Sequence, residues 1–189
     1  MAVHTLHAMC GLYCSPGLMH GDQGFILPHE WFAYLHTRFN GIFTKLFMGA
    51  KTTAQAKRKL VAFWGTIKES DPRRHALRPG FPKDSTIPGW IHGDGVPCTK
   101  HDGLENSSWG SMLSKWMWFS SGYFKKVVHM VPRSGNQAND TKKVFVKILN
   151  WSFRAVAMGK FPDTDWQGKA WPAGSRGDKI KNMDLAGGS

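Results

Sequence analysis

The chain reads as an α+β protein, with a helical portion first and a short run of strands behind it. Three observations predict this. From Pro28 to Phe47 the apolar residues Trp31, Phe32, Leu35, Phe39, Ile42, Phe43, Leu46 and Phe47 recur at steps of three and four, the spacing of one helix face. A second stretch, Thr53 to Glu69, repeats that spacing with Leu60, Phe63, Trp64 and Ile67. Beyond a connector broken by Asp71-Pro72, Arg78-Pro79-Gly80 and Phe81-Pro82, the pattern changes to short strand-like segments and one more amphipathic helix.

Residues 1–24 are rich in Gly, His, Met and Cys without a sustained period, which predicts an irregular leader. Pro28 suits the first turn of the first helix, where its missing N–H costs nothing. Gly41 is the weak point of that helix and Gly49 its stop. Ile87 to His92 reads as a strand entered through Pro88 and ended by Gly93-Asp94-Gly95. Met112 to Ser120 and Tyr123 to Val131 read as two more strands, paired as a hairpin around Ser121-Gly122. Ser134 to Asp140 is a polar loop. The last helix runs from Thr141 to Met158, with Val144, Phe145, Ile148, Leu149, Trp151, Ser152, Ala155 and Val156 on its apolar side and Gly159 as its end. The remainder, with Phe161-Pro162 and Trp171-Pro172, reads as a loop-rich tail. Boundaries therefore fall near residues 24, 84 and 160.

Composition narrows the function classes. The 189 residues are 41% apolar and 20% charged, which excludes an intrinsically disordered chain. No apolar run approaches the roughly 20 residues that span a bilayer, so no membrane partner is expected. The first basic residue is Arg38, so the basic start of a cleaved secretory signal is missing. Three cysteines (Cys10, Cys14, Cys98) cannot build a disulfide framework, which predicts an intracellular protein.

Net charge is +12, from 25 Lys and Arg against 13 Asp and Glu. The first 37 residues contribute none of the cations but five of the nine His. A surplus of this size attracts polyanions through counterion release, and nucleic acid is the commonest such partner. Lys57, Arg58 and Lys59, on the polar side of the second helix, are candidate phosphate contacts, and Lys125 and Lys126 join them. The ordinary use of such runs is a solvated face. Trp166 and Trp171, among Lys169, Arg176, Lys179 and Lys181, offer rings on which bases can stack or which simply cover their own chain.

The stretch Ile91-His92-Gly93-Asp94-Gly95-Val96-Pro97 carries the one candidate for catalysis. A carboxylate at a strand end between glycines can approach a divalent metal such as Mg²⁺ for phosphoryl chemistry, although an Asp-Gly turn is the commoner use of these residues. His4, His7, Cys10 and Cys14 are zinc-ligand types at steps of three, three and four. Only His20 follows nearby, so the set is incomplete and zinc is not expected. No Gly-rich phosphate loop and no Gly-x-Ser-x-Gly elbow is present.

Ile26-Leu27-Pro28-His29-Glu30, the Phe63-Trp64 helix, Ile87-Pro88 leading into His92-Gly93-Asp94-Gly95-Val96-Pro97, and Trp151-Ser152-Phe153 with Gly159-Lys160-Phe161-Pro162 together resemble a large multicopy set of dinoflagellate proteins. These in turn are distantly similar to Plavaka-like cut-and-paste DNA transposases. The resemblance covers roughly residues 25–188. It implies a β-β-β-α unit of RNase H-like type after the helical portion, with Asp94 as the first acidic metal ligand. Where the family continues into a fourth strand with a Gly-Asp pair, this sequence ends at Ser189, and Gly89-Trp90 replaces an aliphatic pattern. The implied unit is a truncated one, catalytically incomplete because one carboxylate cannot clamp two metals. An uncovered sheet edge predicts self-association. The leading expectation is a transposase-derived remnant that binds DNA, and so is nuclear, without cutting it. The alternatives are a non-enzymatic basic nucleic-acid-binding or assembly module, and a metal-dependent nuclease using Asp94 with carboxylates from Asp102, Glu105 or another chain.

Overall fold

The computed structural model describes residues 27–72, 82–97, 103–115, 119–124 and 137–186. Three helices come first: α1 (Pro28–Arg38), α2 (Asn40–Met48) and α3 (Thr53–Thr66). Strands β1 (Gly89–Pro97), β2 (Gly103–Ser111) and β3 (Phe119–Phe124) form one sheet in the order β1-β2-β3. The long helix α4 (Gln137–Met158) and the short α5 (Arg176–Ile180) close the chain. The fold is α+β with a helical portion first, as the apolar spacing predicts. The proposed leader and residues 134–136 of the polar loop lie outside the described residues, while residues 137–140, expected as loop, already belong to α4.

Two compact units divide the chain, and each is assembled from separate segments rather than following boundaries at 24, 84 and 160. One comprises Met1–Thr37, Gly93–Ser107 and Ser120–Ser189; the other Arg38–His92 and Ser108–Phe119. The break between α1 and α2 falls at Phe39, with φ −140° and ψ 52°, and not at Gly41, which sits inside α2. The apolar stripe is continuous across that break in sequence. In space, Ala33 and Leu35 are buried in the first unit while Phe43 and Phe47 are buried in the second.

In the second unit α2 packs on α3. Phe43, Phe47, Ala56, Leu60, Trp64 and Ile67 are buried, and Phe47 stacks on Trp109 of β2 with centroids 6.2 Å apart. Helix α2 ends at Gly49, whose φ of +58° is the left-handed cap glycine supports without strain. Its N–H donates to the Lys45 carbonyl at 3.1 Å. A Cβ there would lie 2.2 Å from the Leu113 carbonyl oxygen. Helix α3 starts at Thr52, whose hydroxyl accepts from the Gln55 N–H at 3.3 Å, while the Gln55 side chain accepts from the Lys51 N–H at 2.9 Å. This reciprocal arrangement is a variant of the capping box. The Trp64 indole N–H donates to the Thr86 carbonyl at 2.7 Å and ties the incoming segment of β1 to α3.

The sheet differs from the sequence expectation. Strand β1 continues through Gly93-Asp94-Gly95 to Pro97, so these residues neither end a strand nor form a turn. The Met112 N–H donates to the Pro88 carbonyl at 2.9 Å, which sets an antiparallel register with residue 88 opposite 112. Residues 112–115 leave β2 in a turn instead of forming a strand. Ser121 and Gly122 lie within β3, so no hairpin turns there. Most of the proposed Tyr123 to Val131 strand falls outside the described residues. Strand β2, Gly-Leu-Glu-Asn-Ser-Ser-Trp-Gly-Ser, was not anticipated, because it carries no β-branched residue.

In the first unit α4 buries Phe145, Ile148, Leu149, Ser152 and Ala155 along one stripe. It ends at Gly159, with φ +68°. Segment 159–161 then pairs with 182–185: Phe161 N–H donates to Met183 O at 2.8 Å, Asn182 N–H to Phe161 O at 3.0 Å, and Leu185 N–H to Gly159 O at 2.9 Å. Between them α5 begins at Ser175, whose hydroxyl accepts from the Asp178 N–H at 3.3 Å. The tail, expected as loop, is a clasp held by backbone hydrogen bonds and closed by the buried Leu185.

Candidate nucleic-acid interface

Positive charge is concentrated in one unit. Segments Arg38–His92 and Ser108–Phe119 hold twelve Lys and Arg against three Asp and Glu, a balance of +9, leaving +3 for the rest of the chain. Helix α3 carries Lys57, Arg58 and Lys59 and no acidic residue. All three are exposed, but they are engaged differently. Lys57 pairs with Asp84 at 3.3 Å across an exposed gap. The Lys59 ammonium donates to the Gly49 carbonyl, where it satisfies the end of α2. Arg58 has no such partner among the described residues. Lys51, just ahead of the Thr52 cap of α3, is also exposed. Lys125 and Lys126 lie outside the described residues.

Asp94 stands exposed in β1, and its Oδ1 accepts from the Gly95 N–H at 2.7 Å. The Gly93 position lies against the Asn106 carbonyl, which continues the register and sets Asp94 opposite Asn106. Glu105 falls opposite Gly95, on the other face of the sheet, since side chains alternate along a strand. There it pairs with Lys142 of α4 at 3.5 Å. Asp102 lies outside the described residues, as do His4, His7, Cys10, Cys14, His20 and Cys98. Among the described residues no three His, Cys, Asp or Glu side chains are grouped to hold a metal ion.

The tail aromatics are partly committed. The Trp171 indole N–H donates to the Pro162 carbonyl at 3.0 Å, and a Cβ on Gly177 would meet the Trp171 ring at 2.2 Å. That face of the ring packs on backbone and is closed to a base. Trp166 carries the Lys147 ammonium 5.7 Å from its centroid. Trp151 donates to the Thr164 carbonyl at 3.1 Å.

What the sequence did not reveal is a buried polar joint between α1 and α4. The His29 N–H donates to Ser152 Oγ at 3.1 Å, and the Ser152 hydroxyl lies 2.8 Å from His29 Nδ1. The His29 ring meets Trp151 edge-on at 4.9 Å. Glu30, 3.8 Å from His29 Nε2, is held by both guanidinium nitrogens of Arg176 at 2.5 and 2.6 Å. A hydroxyl, an imidazole and a carboxylate in series suggest a nucleophile, but Ser152 is 0% exposed, so no substrate reaches it. The arrangement is a joint. The two residues are 123 positions apart, which no local pattern can show. In the clasp, the Lys181 ammonium bound to Asp178 holds that carboxyl below its usual range, helped by the Gly174 N–H.

Burial, reinforced by the Arg176 charge, pushes the His29 pKa down to about 3. The nearby Glu30 carboxylate does not reverse this, because Arg176 already neutralises it. The folded chain therefore keeps His29 neutral while the unfolded chain takes up a proton below about pH 6.5. Stability is fully present above that pH and falls by about 1.4 kcal/mol per unit below it, down to the folded value. Between pH 7 and pH 5 the loss assigned to His29 is about 2 kcal/mol. Urea midpoints at the two pH values measure it. The difference should shrink by that amount in His29→Gln, and an unchanged difference would show that His29 is not the acid-sensitive group.

No helix among the described residues is long and apolar enough to cross a membrane. No family model, curated protein or solved structure matches the chain.

Proposed function

We propose that the chain is a DNA-binding protein of transposase descent that holds the phosphate backbone through its basic unit and does not cut it. The observation that carries the proposal is the +9 balance of that unit, with α3 presenting three cations and no acid. Lys51, Lys57 and Arg58 are the phosphate contacts; Lys59 shares its charge with the end of α2. In this reading β1 to β3 followed by α4 descend from an RNase H-like core, and Asp94 is the first acidic residue of an incomplete metal site. Mg²⁺ would belong to a complete relative.

The test is fluorescence anisotropy of a labelled DNA duplex titrated with the full chain at several salt concentrations. Three neutralised phosphates predict that log affinity falls against log salt with a slope of about −2.7, or roughly 40-fold between 50 and 200 mM. A flat salt dependence would remove the phosphate contacts from the account. Supercoiled plasmid incubated with Mn²⁺ should stay intact, and nicking abolished by Asp94→Ala would establish the nuclease alternative instead.

A further inference from the structure

We infer that the outward face of α3 is a groove-reading surface, which enters the major groove of duplex DNA. The inference rests on the nucleic-acid reading and specifies the form of nucleic acid and the element that meets it. Leu60 and Trp64 fix the buried side of α3, leaving Ala54, Lys57, Arg58, Val61, Ala62 and Gly65 exposed on the other. A helix face that only meets water normally mixes long side chains of both signs. This one carries cations in its middle and short side chains on either side, with nothing acidic. Short side chains let the helix backbone approach a partner closely, and space around Gly65 is open to 4 Å.

Dimensions and chemistry select the partner. Fourteen residues make a rod of about 21 Å, and the major groove of B-DNA, about 12 Å wide, admits a helix. Lys57 and Arg58 then reach phosphates or base edges, with Val61 and Ala62 one turn further along the floor. Lys57 exchanges its exposed Asp84 partner for phosphate. Single-stranded nucleic acid needs exposed aromatic rings to stack on. The rings of α3 do not offer them, since Trp64 is buried and Phe63 is half-buried against it at 5.1 Å. The deep, narrow major groove of A-form RNA shuts out a helix.

The experiment compares Ala62→Glu with Ala157→Glu in the full chain. Both positions are exposed on helices and both substitutions change the net charge equally. Ala62→Glu places a carboxylate against the groove and should weaken binding of a 20-base-pair DNA duplex at least about 10-fold, while Ala157→Glu changes it less than about 3-fold. Gly65→Glu repeats the first result at a position with room for the side chain, and circular dichroism verifies that each variant is folded. Duplex RNA of the same sequence should bind at least about 10-fold more weakly than DNA. Equal losses for Ala62→Glu and Ala157→Glu, or equal affinity for the two duplexes, would overturn groove entry while leaving phosphate binding intact. No binding of DNA by the unsubstituted chain would overturn both.

Discussion

Gly49→Ala is expected to destabilise the protein by about 2–4 kcal/mol, as the sum of two costs. A non-glycine residue at φ +58° costs about 1–2 kcal/mol, because its Cβ crowds the following carbonyl. The new methyl group also meets the Leu113 carbonyl oxygen at 2.2 Å, and that oxygen belongs to backbone that cannot simply rotate away. Gly159→Ala separates the two terms. Its φ of +68° is similar, but no atom lies within 4 Å of the added carbon, so only the conformational cost of about 1–2 kcal/mol remains. Urea unfolding followed by tryptophan fluorescence measures both. Equal effects would show that the Leu113 contact contributes nothing.

Leu185→Ala is expected to cost about 2–5 kcal/mol, the range for emptying a buried leucine site. Leu185 is 2% exposed and its N–H is bound to the Gly159 carbonyl, so the side chain sits where the clasp closes on the end of α4. Met183, two residues earlier, is 55% exposed, and Met183→Ala should change stability by less than about 0.5 kcal/mol. Thermal unfolding of the two variants compares them directly. If Leu185→Ala matched Met183→Ala, the clasp would be an ornament on the first unit rather than part of its core.

Helices α3 and α4 were legible in the sequence because their apolar spacing is what burial requires, whereas the short α5, which buries no residue, was not. Leu60 and Trp64 are at the predicted core positions of α3, and Phe145, Ile148 and Leu149 at those of α4. The break at Phe39 was not legible. No proline marks it, and the nearby Gly41 attracts attention to the wrong residue. Strand β2 was hidden for a different reason: its buried residues include Ser107, Ser108 and Ser111, so burial there does not follow hydrophobicity. Residues 112–115 have strand-like composition but leave the sheet in a turn, where pairing with Pro88 decides the outcome, while Phe119 and Ser120 of the same expected strand belong to β3. At the candidate interface, the exposed cations of α3 were readable as a run. That Lys59 serves the end of α2 and Lys57 faces Asp84 depends on partners 10 and 27 positions away.

The chain passes from one compact unit to the other at residues 37–38, 92–93, 107–108 and 119–120. No single uninterrupted stretch of coding sequence therefore specifies the basic unit alone. Recombination that joins whole segments end to end can pass on a self-contained domain, but it cannot lift this unit out of its neighbour. A gene fragment cut at any one of these crossings carries part of one unit and leaves the rest behind. The shortest stretch that holds the whole basic unit, residues 38–119, carries residues 93–107 of its neighbour with it.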